Sequence, residues 1–453
     1  MPFSSSLLTR TKWFATLAQL VERLTCNEDV VSSTLTGGSI SIFFRIRLNL
    51  HQNSLNCEVP INMNSVFVSK SYTQKDIHRE NSLLSPLSLK FFPIFPLFFL
   101  FFSCTQTDME DGAGIRSIEM VEVIEENGMI YIPGQSYRRG NEFNPGNGQM
   151  YPEESPIHQV EVSSFWIDKY EITNAEFKKF VDETGFITFA EKPLDPTEFP
   201  NAPPDQMIPG ATVFSPPRKE IDPWATEDAW RWWSYRKGAC WRQPEGDGSN
   251  IAQRMDHPVV CVNVDDAKAY AKWAGKRLPT EAEWELAARG GLKDKMFCWG
   301  NDPKPKGLWM ANCFQGRFPA KNSAQDGYLG TAPVGSFPPN GYGLFDMSGN
   351  VWEICSDFYH PAYYQSFITD PMPNPQGPND AITSDELQHF NRYGTCPKPR
   401  EGTSELTFLY VSKGGSFLCH WDYCLRYRPA ARHYAENLSP TNHAGFRCVR
   451  DEK

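Results

Sequence analysis

The chain has 453 residues and a formal net charge of −10 at pH 7. This acidic balance offers no basic surface for nucleic acid, so we expect no nucleic-acid partner. Its 32 glycines and 36 prolines make up about 15% of the residues, above the usual share of about 12%, and indicate a loop-rich protein with short elements. The length suffices to bury one large core or two ordinary ones.

The N-terminal part divides into a leader and a signal segment. Residues 1–62 show no sustained hydrophobic period and no strand pattern bounded by turns, so we interpret them as a doubtful or disordered leader. Residues 63–104 begin at a plausible internal start, Met63, and end in an apolar run that follows Lys90. The run is shorter than the about 20 residues of a membrane-spanning helix, which is typical of a signal peptide.

The end of this run indicates export and a lipid anchor. Ser103-Cys104 resembles a bacterial lipoprotein cleavage site, with Cys104 as the lipid-bearing first residue. Residues 105–127 would then form a tether, and the protein would be anchored to a membrane in the periplasm or at the cell surface. An ordinary signal peptide or a buried apolar segment is the alternative interpretation.

The folded part begins with strands and a helix. Residues 129–133 and 158–167 have the alternation of two strands. Thr173–Glu176 is a capping box, and apolar residues follow at helical spacing until Gly185, which predicts a short amphipathic helix. Residues 187–256 are rich in tryptophan and are interpreted either as a carbohydrate or peptide platform or as a packed ordered loop. The tryptophans concerned are Trp224, Trp230, Trp232, Trp233 and Trp241.

Two further helices are predicted in the middle of the chain. One covers residues 265–274 and stops at Gly275, and the other opens at the capping box Thr280–Glu283 and ends at Gly290. Three glutamates at its start, Glu281, Glu283 and Glu285, are expected to cap, to complement the helix dipole or to face solvent, rather than to perform acid-base chemistry. Residues 361–410 are predicted to be an irregular surface insertion.

A pair of cysteines marks the candidate site. Cys419 and Cys424 stand five positions apart behind Gly414-Gly415, where the backbone can turn tightly. Two thiolates that converge suit copper(I) or zinc, and in an exported protein they can also form a disulfide. Nine of the twelve cysteines follow residue 104, and this odd number predicts at least one free thiol or an intermolecular bond.

The sequence around the pair resembles the C-terminal signature of formylglycine-generating enzymes, also called sulfatase-modifying factors. The similarity spans about residues 128 to 450, and its blocks occur in the order of the family. These blocks are Met129–Gly134, Asp168–Asn174, Gly275–Glu285, Gly349–Glu353, Gly414–Arg428, Pro429–Arg432 and Gly445–Cys448. The resemblance implies one enzyme domain over residues 128–453, with the mixed, loop-rich α+β fold of C-type-lectin-like type.

The resemblance also implies an activity. Members are copper-dependent oxidases that use dioxygen to convert a cysteine, within a Cys-x-Pro-x-Arg-type motif of a sulfatase polypeptide, to Cα-formylglycine. Cys419 and Cys424 would be the copper(I) ligands and redox centre, and Ser416 and Trp352 would line the pocket for oxygen and substrate. A local disulfide remains the alternative for the pair, and zinc is a weaker one, since a closed zinc site needs about four ligands and only His420 is adjacent.

Calcium is the second cofactor that the resemblance implies, bound through side-chain and carbonyl oxygens. The first site would comprise Asn312, Cys313, Asp326 and Tyr328. The second would comprise Asp346, Gly349, Val351 and Glu353. The disulfides of eukaryotic relatives would fall at Ala271, Ala288, Pro429 and Cys448, of which only Cys448 is a cysteine, so we expect a bacterial-type member without those bridges.

Other functions remain open at this point. A non-catalytic surface or motility-associated binding lipoprotein on the same fold is the main rival, although it would not need the cysteine pair. An iron-dependent sulfoxide synthase would need a helical domain supplying histidines, and the stretch before Gly128 offers only His51 and His78. The arginines near the pair would either stabilise an acidic peptide or pair with core carboxylates. We expect a monomer.

Overall fold

The computed structural model divides the chain into two units, Met1–Ser117 and Ile118–Lys453. The structure describes residues 27–36, 39–50, 53–62, 123–141, 151–196, 207–223, 231–367, 371–393 and 408–452. The predicted signal segment and Cys104 lie outside these ranges. Within them, no helix has the length and apolar character needed to cross a membrane.

The first unit contains an antiparallel three-stranded sheet. Its strands are β1 (Asn27–Thr36), β2 (Ser39–Leu50) and β3 (Asn53–Asn62), with β2 in the middle. Our expectation that residues 1–62 lack strands is wrong for this stretch. Along β2 the sequence in fact alternates, since isoleucines and leucines recur at every second position, and this period of two is that of a pleated strand.

Within the described ranges, the second unit combines short strands, four α-helices and long loops, so the prediction of a mixed, loop-rich α+β fold is confirmed. The strands are β4 (Glu125–Glu126), β5 (Met129–Ile132), β6 (Gln135–Arg139), β7 (His158–Val162), β8 (Phe165–Asp168), β9 (Gly210–Phe214), β10 (Trp233–Lys237), β11 (Gly316–Arg317), β12 (Lys321–Asn322), β13 (Trp352–Phe358), β14 (Met372–Pro373), β15 (Leu409–Lys413), β16 (His433–Glu436), β17 (Ala444–Gly445) and β18 (Val449–Asp451). The helices are α1 (Asn174–Thr184), α2 (Val264–Trp273), α3 (Glu281–Arg289) and α4 (Ser384–Tyr393).

The strands form three sheets and two hairpins in this unit. One sheet has the order β18-β8-β5-β4, a second β16-β15-β13-β17, and a third β14-β7-β6, while β9 pairs with β10 and β11 with β12. Neighbours are antiparallel except that β17 runs parallel to β13 and β14 parallel to β7. The last strand of the chain therefore completes a sheet that the first strands of the unit begin.

The helices begin and end where their capping residues predict. Thr173 and Thr280 open α1 and α3 with complete capping boxes, and left-handed glycines, Gly185 and Gly290, end them. A third capping box, which we missed, has Asn263 as its capping residue, since asparagine caps a helix as well as threonine does. The helix α2 therefore begins at Val264, one residue earlier than predicted.

Two stretches of the sequence fold more than predicted. Residues 361–410 were expected to be an irregular surface insertion, yet they carry α4, whose first turn is capped through Thr383, and the buried ring of Tyr364. In the tryptophan-rich stretch, Trp232 and Trp241 are buried, which supports packing rather than an exposed platform for these two. Local patterns are weak in both stretches, because their order comes from contacts with distant segments.

A buried charge network lies at α3. Glu281 and Glu285 are fully buried, so the expectation that these glutamates face solvent is wrong for both, whereas Glu283 caps the helix as predicted. Glu281 pairs with Arg139 at 2.6 Å and with Arg432 at 2.8 Å. Glu285 pairs with Arg289 at 2.6 Å and with Lys413 at 3.1 Å. The partners of these glutamates come mainly from remote segments, so spacing along the helix does not reveal them.

Candidate functional site

The two cysteines of the candidate site are brought together by consecutive turns. Their sulfur atoms lie 3.1 Å apart, and both thiols are free. Cys419 is buried and Cys424 is partly exposed. The amide of Cys419 donates to the carbonyl of Ser416 at 2.9 Å, and the amide of Cys424 donates to the carbonyl of His420 at 2.8 Å. This segment is a turn rather than a strand, which lets side chains five positions apart converge.

The glycine pair before the cysteines is required by the close approach of the backbone. Gly414 and Gly415 both have positive φ values, 87° and 73°. A Cβ atom on Gly415 would lie 3.1 Å from the sulfur of Cys419 and 3.0 Å from the backbone of Tyr427. Glycine therefore allows the chain to fold back directly beneath the thiol.

The two thiols differ in ionisation. A hydrogen bond from Cys419 lowers the pKa of Cys424, burial opposes this change, and the Arg426 guanidinium supports it. Burial raises the pKa of Cys419, and its hydrogen bond to Cys424 raises it further. Cys424 is accordingly the thiol of the pair that loses its proton at the lower pH, and the thiolate is the more reactive form of cysteine.

Ser416 and Trp352, the other predicted site residues, both lie beside the pair. Ser416 is fully buried; its amide donates to the sulfur of Cys419 at 3.5 Å, and its hydroxyl accepts from the amide of Leu418. Trp352 packs in the same buried cluster as Cys419, at the start of β13. The structure thus brings the four predicted residues into one neighbourhood.

A cavity of about 330 Å³ opens beside Trp352. His433 lies against this ring with centroids 5.4 Å apart, and His443 lies against Trp233 at 4.7 Å. Burial lowers the pKa of both imidazoles, that of His443 to about 3, so both are neutral. The Nδ1 atom of His443 is buried without a hydrogen-bond partner. No sequence pattern indicates these histidines, because they are ten positions apart and come to line one cavity only through folding.

The residues of the first expected calcium site converge. The Asp326 carboxylate accepts from the amides of Cys313 and Tyr328, at 3.3 and 3.0 Å. The carbonyl of Cys313 accepts from the amide side chain of Gln315. The Oδ1 atom of Asn312 is buried and has no hydrogen-bond partner. A buried unpaired oxygen beside a carboxylate is the chemistry that a hard cation satisfies, so these residues fit calcium.

The second expected calcium site fits only in part. Asp346 accepts from the amide of Gly335 at 2.6 Å, its Oδ1 atom is buried without a partner, and burial raises its pKa to about 6. Glu353 instead receives two hydrogen bonds from Arg447, at 2.6 and 2.7 Å, and one from Trp284 at 2.7 Å. Its carboxylate is therefore already neutralised by an arginine. The described residues contain no cluster of three His, Cys, Asp or Glu side chains that could hold a metal.

The backbone joins the second site to the cysteine segment. The amide of Gly349 donates to the carbonyl of Gly414 at 2.9 Å, and the amide of Val351 donates to Glu171 at 3.2 Å. Asp346 adopts a positive φ of 56°. The loop that carries the expected ligands is thus fixed against the segment that carries the thiols.

Comparison with known proteins now places the chain. A family model described as "Sulfatase-modifying factor enzyme 1-like domain" matches residues 116–452. The chain belongs to the sulfatase-modifying factor enzyme family. The matched range contains every site residue described above.

Relatives of this family member include active and inactive proteins. The formylglycine-generating enzyme of Mycobacterium tuberculosis (strain ATCC 25618 / H37Rv) is 44% identical over 323 residues, which cover 71% of this chain and 97% of that protein. The formylglycine-generating enzyme of Mus musculus is 43% identical over 303 residues, 66% of this chain and 69% of that protein. The inactive C-alpha-formylglycine-generating enzyme 2 of Bos taurus is 39% identical over 235 residues, 52% of this chain and 72% of that protein.

The arginines of this sulfatase-modifying factor family member pair with core carboxylates. Arg428 contacts Glu154 through two hydrogen bonds, at 2.6 and 2.9 Å, and Arg432 and Arg447 are likewise buried against glutamates. Arg426 keeps some exposure and pairs with Glu153 at 2.9 Å. Of the two interpretations drawn from the sequence, structural pairing therefore holds for the three buried arginines.

Proposed function

We propose that the protein is a formylglycine-generating enzyme, which oxidises the cysteine of a Cys-x-Pro-x-Arg-type motif in a sulfatase polypeptide to Cα-formylglycine with dioxygen. The observation that carries the proposal is the reduced pair Cys419 and Cys424, with sulfur atoms 3.1 Å apart. The pair packs in one cluster with Trp352, and Trp352 in turn lines a cavity. The chain matches nearly the whole length of relatives that are named for this activity, and this match supports the proposal.

Copper(I) is the metal that we propose for the pair. Two thiol sulfurs form a soft donor set, and one of them, Cys424, already has a lowered pKa, so less free energy is needed to deprotonate it for a metal. When bound, copper(I) would supply the electrons that activate dioxygen. The protein's own part is to hold both sulfurs, to keep Cys419 away from solvent and to place Trp352 beside the substrate.

The overall reaction balances with an external thiol reductant. The Cβ–S bond of the substrate cysteine breaks and a Cβ=O bond forms, so that carbon is oxidised by two electrons and sulfur leaves as hydrogen sulfide. Dioxygen takes up four electrons and supplies the aldehyde oxygen and one water. The remaining two electrons come from the thiol reductant, which becomes a disulfide.

Calcium and a lipid anchor complete the proposal. We propose that calcium binds at Asn312, Cys313, Asp326 and Tyr328, and at Asp346 with the carbonyls of Gly349 and Val351, where two buried oxygens have no partner. Glu353 contributes less in this chain because Arg447 holds its carboxylate. We further propose export, lipid attachment at Cys104 and action as a monomer.

A non-catalytic binding lipoprotein is the second candidate. It is favoured by the existence of inactive relatives and by the proposed anchor. The thiol pair argues against it, since a binding surface needs no two reduced sulfurs held together behind a glycine pair.

Turnover of a sulfatase-derived peptide tests the function. The copper-loaded full chain is expected to consume dioxygen and to convert the peptide cysteine to an aldehyde, detected by mass spectrometry. Cys419→Ser or Cys424→Ser should each lower the rate by several orders of magnitude, because both sulfurs act as a unit. Cys448→Ala, which changes a buried free thiol outside the site, is the matched control and should retain most of the rate. A folded, copper-loaded parent that leaves the thiol intact would overturn the proposal.

A further inference from the structure

Asn350 lies between the two proposed calcium sites and is fully buried. Its Nδ2 atom donates to Glu171 at 2.6 Å, and its Oδ1 atom accepts from the Nδ2 of Asn312 at 3.1 Å and from the amide of Ala332 at 2.8 Å. A backbone amide can only donate, so the amide of Ala332 must face the oxygen of Asn350, and this permits one orientation of the Asn350 side chain.

The orientation of Asn350 fixes that of Asn312. The Nδ2 of Asn312 donates to Asn350 and also to the carbonyl of Gly330 at 2.9 Å. A flipped amide would place its oxygen against two acceptors, which is unfavourable. The Oδ1 of Asn312 is therefore held where it is, buried and without a donor. Leaving a buried acceptor unpaired is unfavourable, and a bound cation would remove that cost.

The two amides are aligned between the Glu171 carboxyl group and the unpaired oxygen. Each turns its nitrogen towards Glu171 and its oxygen away from it, so their dipoles point the same way. Hydrogen bonds in such a chain polarise one another in a low-dielectric interior. The chain of hydrogen bonds from Asn312 through Asn350 to Glu171 thus increases the electron density presented by the Oδ1 of Asn312.

We propose that Glu171, Asn350 and Asn312 form a polar relay that presents the Oδ1 of Asn312 to a divalent cation such as calcium, with Glu171 and Asn350 as positioning residues. This inference rests on the calcium site in the proposed function. The relay also reaches the catalytic segment, because the carbonyl of Asn350 accepts from the amide of Phe417 at 2.9 Å. Cation binding and the position of the thiol-bearing segment therefore share one residue.

Calcium titration of the full chain by calorimetry tests the relay. Asn350→Gly removes the side chain without strain, since Asn350 has a positive φ of 56°. We expect its calcium affinity to fall about 10- to 100-fold, as for other groups that orient metal ligands. The matched control is Asn174→Ala. Asn174 is buried outside the relay and donates one hydrogen bond to a backbone carbonyl, so the calcium affinity of this variant should equal that of the parent.

A double variant separates positioning from a general loss of structure. If Asn350 acts through Asn312, then Asn312→Ala/Asn350→Gly should bind calcium no more weakly than Asn312→Ala alone. Should Asn350→Gly fail to fold, Glu171→Asp, which keeps a carboxyl group but withdraws the acceptor from Asn350, is expected to weaken binding as well. Equal affinity in parent and folded variant, or additive losses in the double variant, would overturn the relay. A parent that binds no calcium would instead remove the site on which it rests.

Discussion

At the scale of single residues, the candidate centre works through an asymmetry between two chemically identical side chains. Cys419 is enclosed and shares a hydrogen bond with Cys424, whereas Cys424 is partly exposed and lies near Arg426. The thiolate is the nucleophilic form of cysteine, so this arrangement confines reactivity to one sulfur.

Alkylation of Cys424 should reveal this asymmetry. Its reaction with iodoacetamide, followed by peptide mapping, is expected to reach half its maximal rate at a pH below the about 8.5 of a free thiol, because the hydrogen bond from Cys419 stabilises the thiolate. The rate rises with pH as the proton leaves. In Cys419→Ala the midpoint should move to higher pH, while Cys298→Ala, which removes a buried thiol elsewhere, should not move it. Identical midpoints in parent and Cys419→Ala would contradict the assignment.

Some features of the site can be predicted from the sequence, and others cannot. Cys419, Cys424 and Trp352 are adjacent in space as the family resemblance predicts. The engagement of Glu353 by Arg447 could not be predicted, because these residues are 94 positions apart and only packing reveals which carboxylate receives which arginine. His433 and His443 were missed for the same reason.

At the scale of elements, α3 owes its position to charge as well as to apolar packing. Although burial opposes ionisation of Glu281, the cations Arg139, Arg432 and Lys413 hold its pKa well below its usual range. Removing one member of such a set leaves a buried charge without its counter-charge. This costs more stability than replacing the whole set by apolar residues would.

The substitution Glu281→Gln should destabilise the fold by about 3–5 kcal/mol, because Arg139 and Arg432 would lose their counter-charge. The measurement is the free energy of unfolding in urea. Glu283→Gln, two positions along the same helix, keeps a capping acceptor and breaks only a partly exposed pair with Arg277, so its cost should stay near 1 kcal/mol. Equal losses for the two variants would show that the buried network does not hold α3.

Elements with local signals were predictable and others were not. Capping boxes at Thr173 and Thr280 determine where helices start, since they satisfy backbone amides within one turn. The helix at Ser384–Tyr393 and strand β2 show that a region of mixed composition can still form regular structure. In β2 the period of two was present in the sequence. The helix α4 was not predicted, because it lies in a stretch rich in proline and asparagine, residues that are typical of loops.

At the scale of the whole molecule, the enzyme-like unit and the N-terminal region are separate structural units. The proposed anchor lies at Cys104, shortly before the second unit begins at Ile118. If Cys104 carries acyl chains, this connection would attach the second unit to the membrane that holds them.

Fractionation of cells tests the anchor. Cys104→Ala is expected to move the protein from the membrane fraction to the soluble fraction, since stable attachment depends on acyl chains at that residue. Labelled fatty acid should enter the parent but not the variant. Cys57→Ala, a cysteine change before the proposed cleavage site, is the control and should stay with the membrane. Retention of Cys104→Ala in the membrane fraction would refute lipid attachment at this residue.

The pairing of β18 with β8 has a consequence for how the protein is made. Val449–Asp451 follow both cysteines along the chain, yet they join a sheet whose other strands lie in the first part of the unit. Ala444, which packs with Cys419, also emerges after both cysteines. The shielded state of the thiol pair therefore arises only once these later residues have been made and have folded into place. A metal that needs the shielded pair must consequently bind after that step.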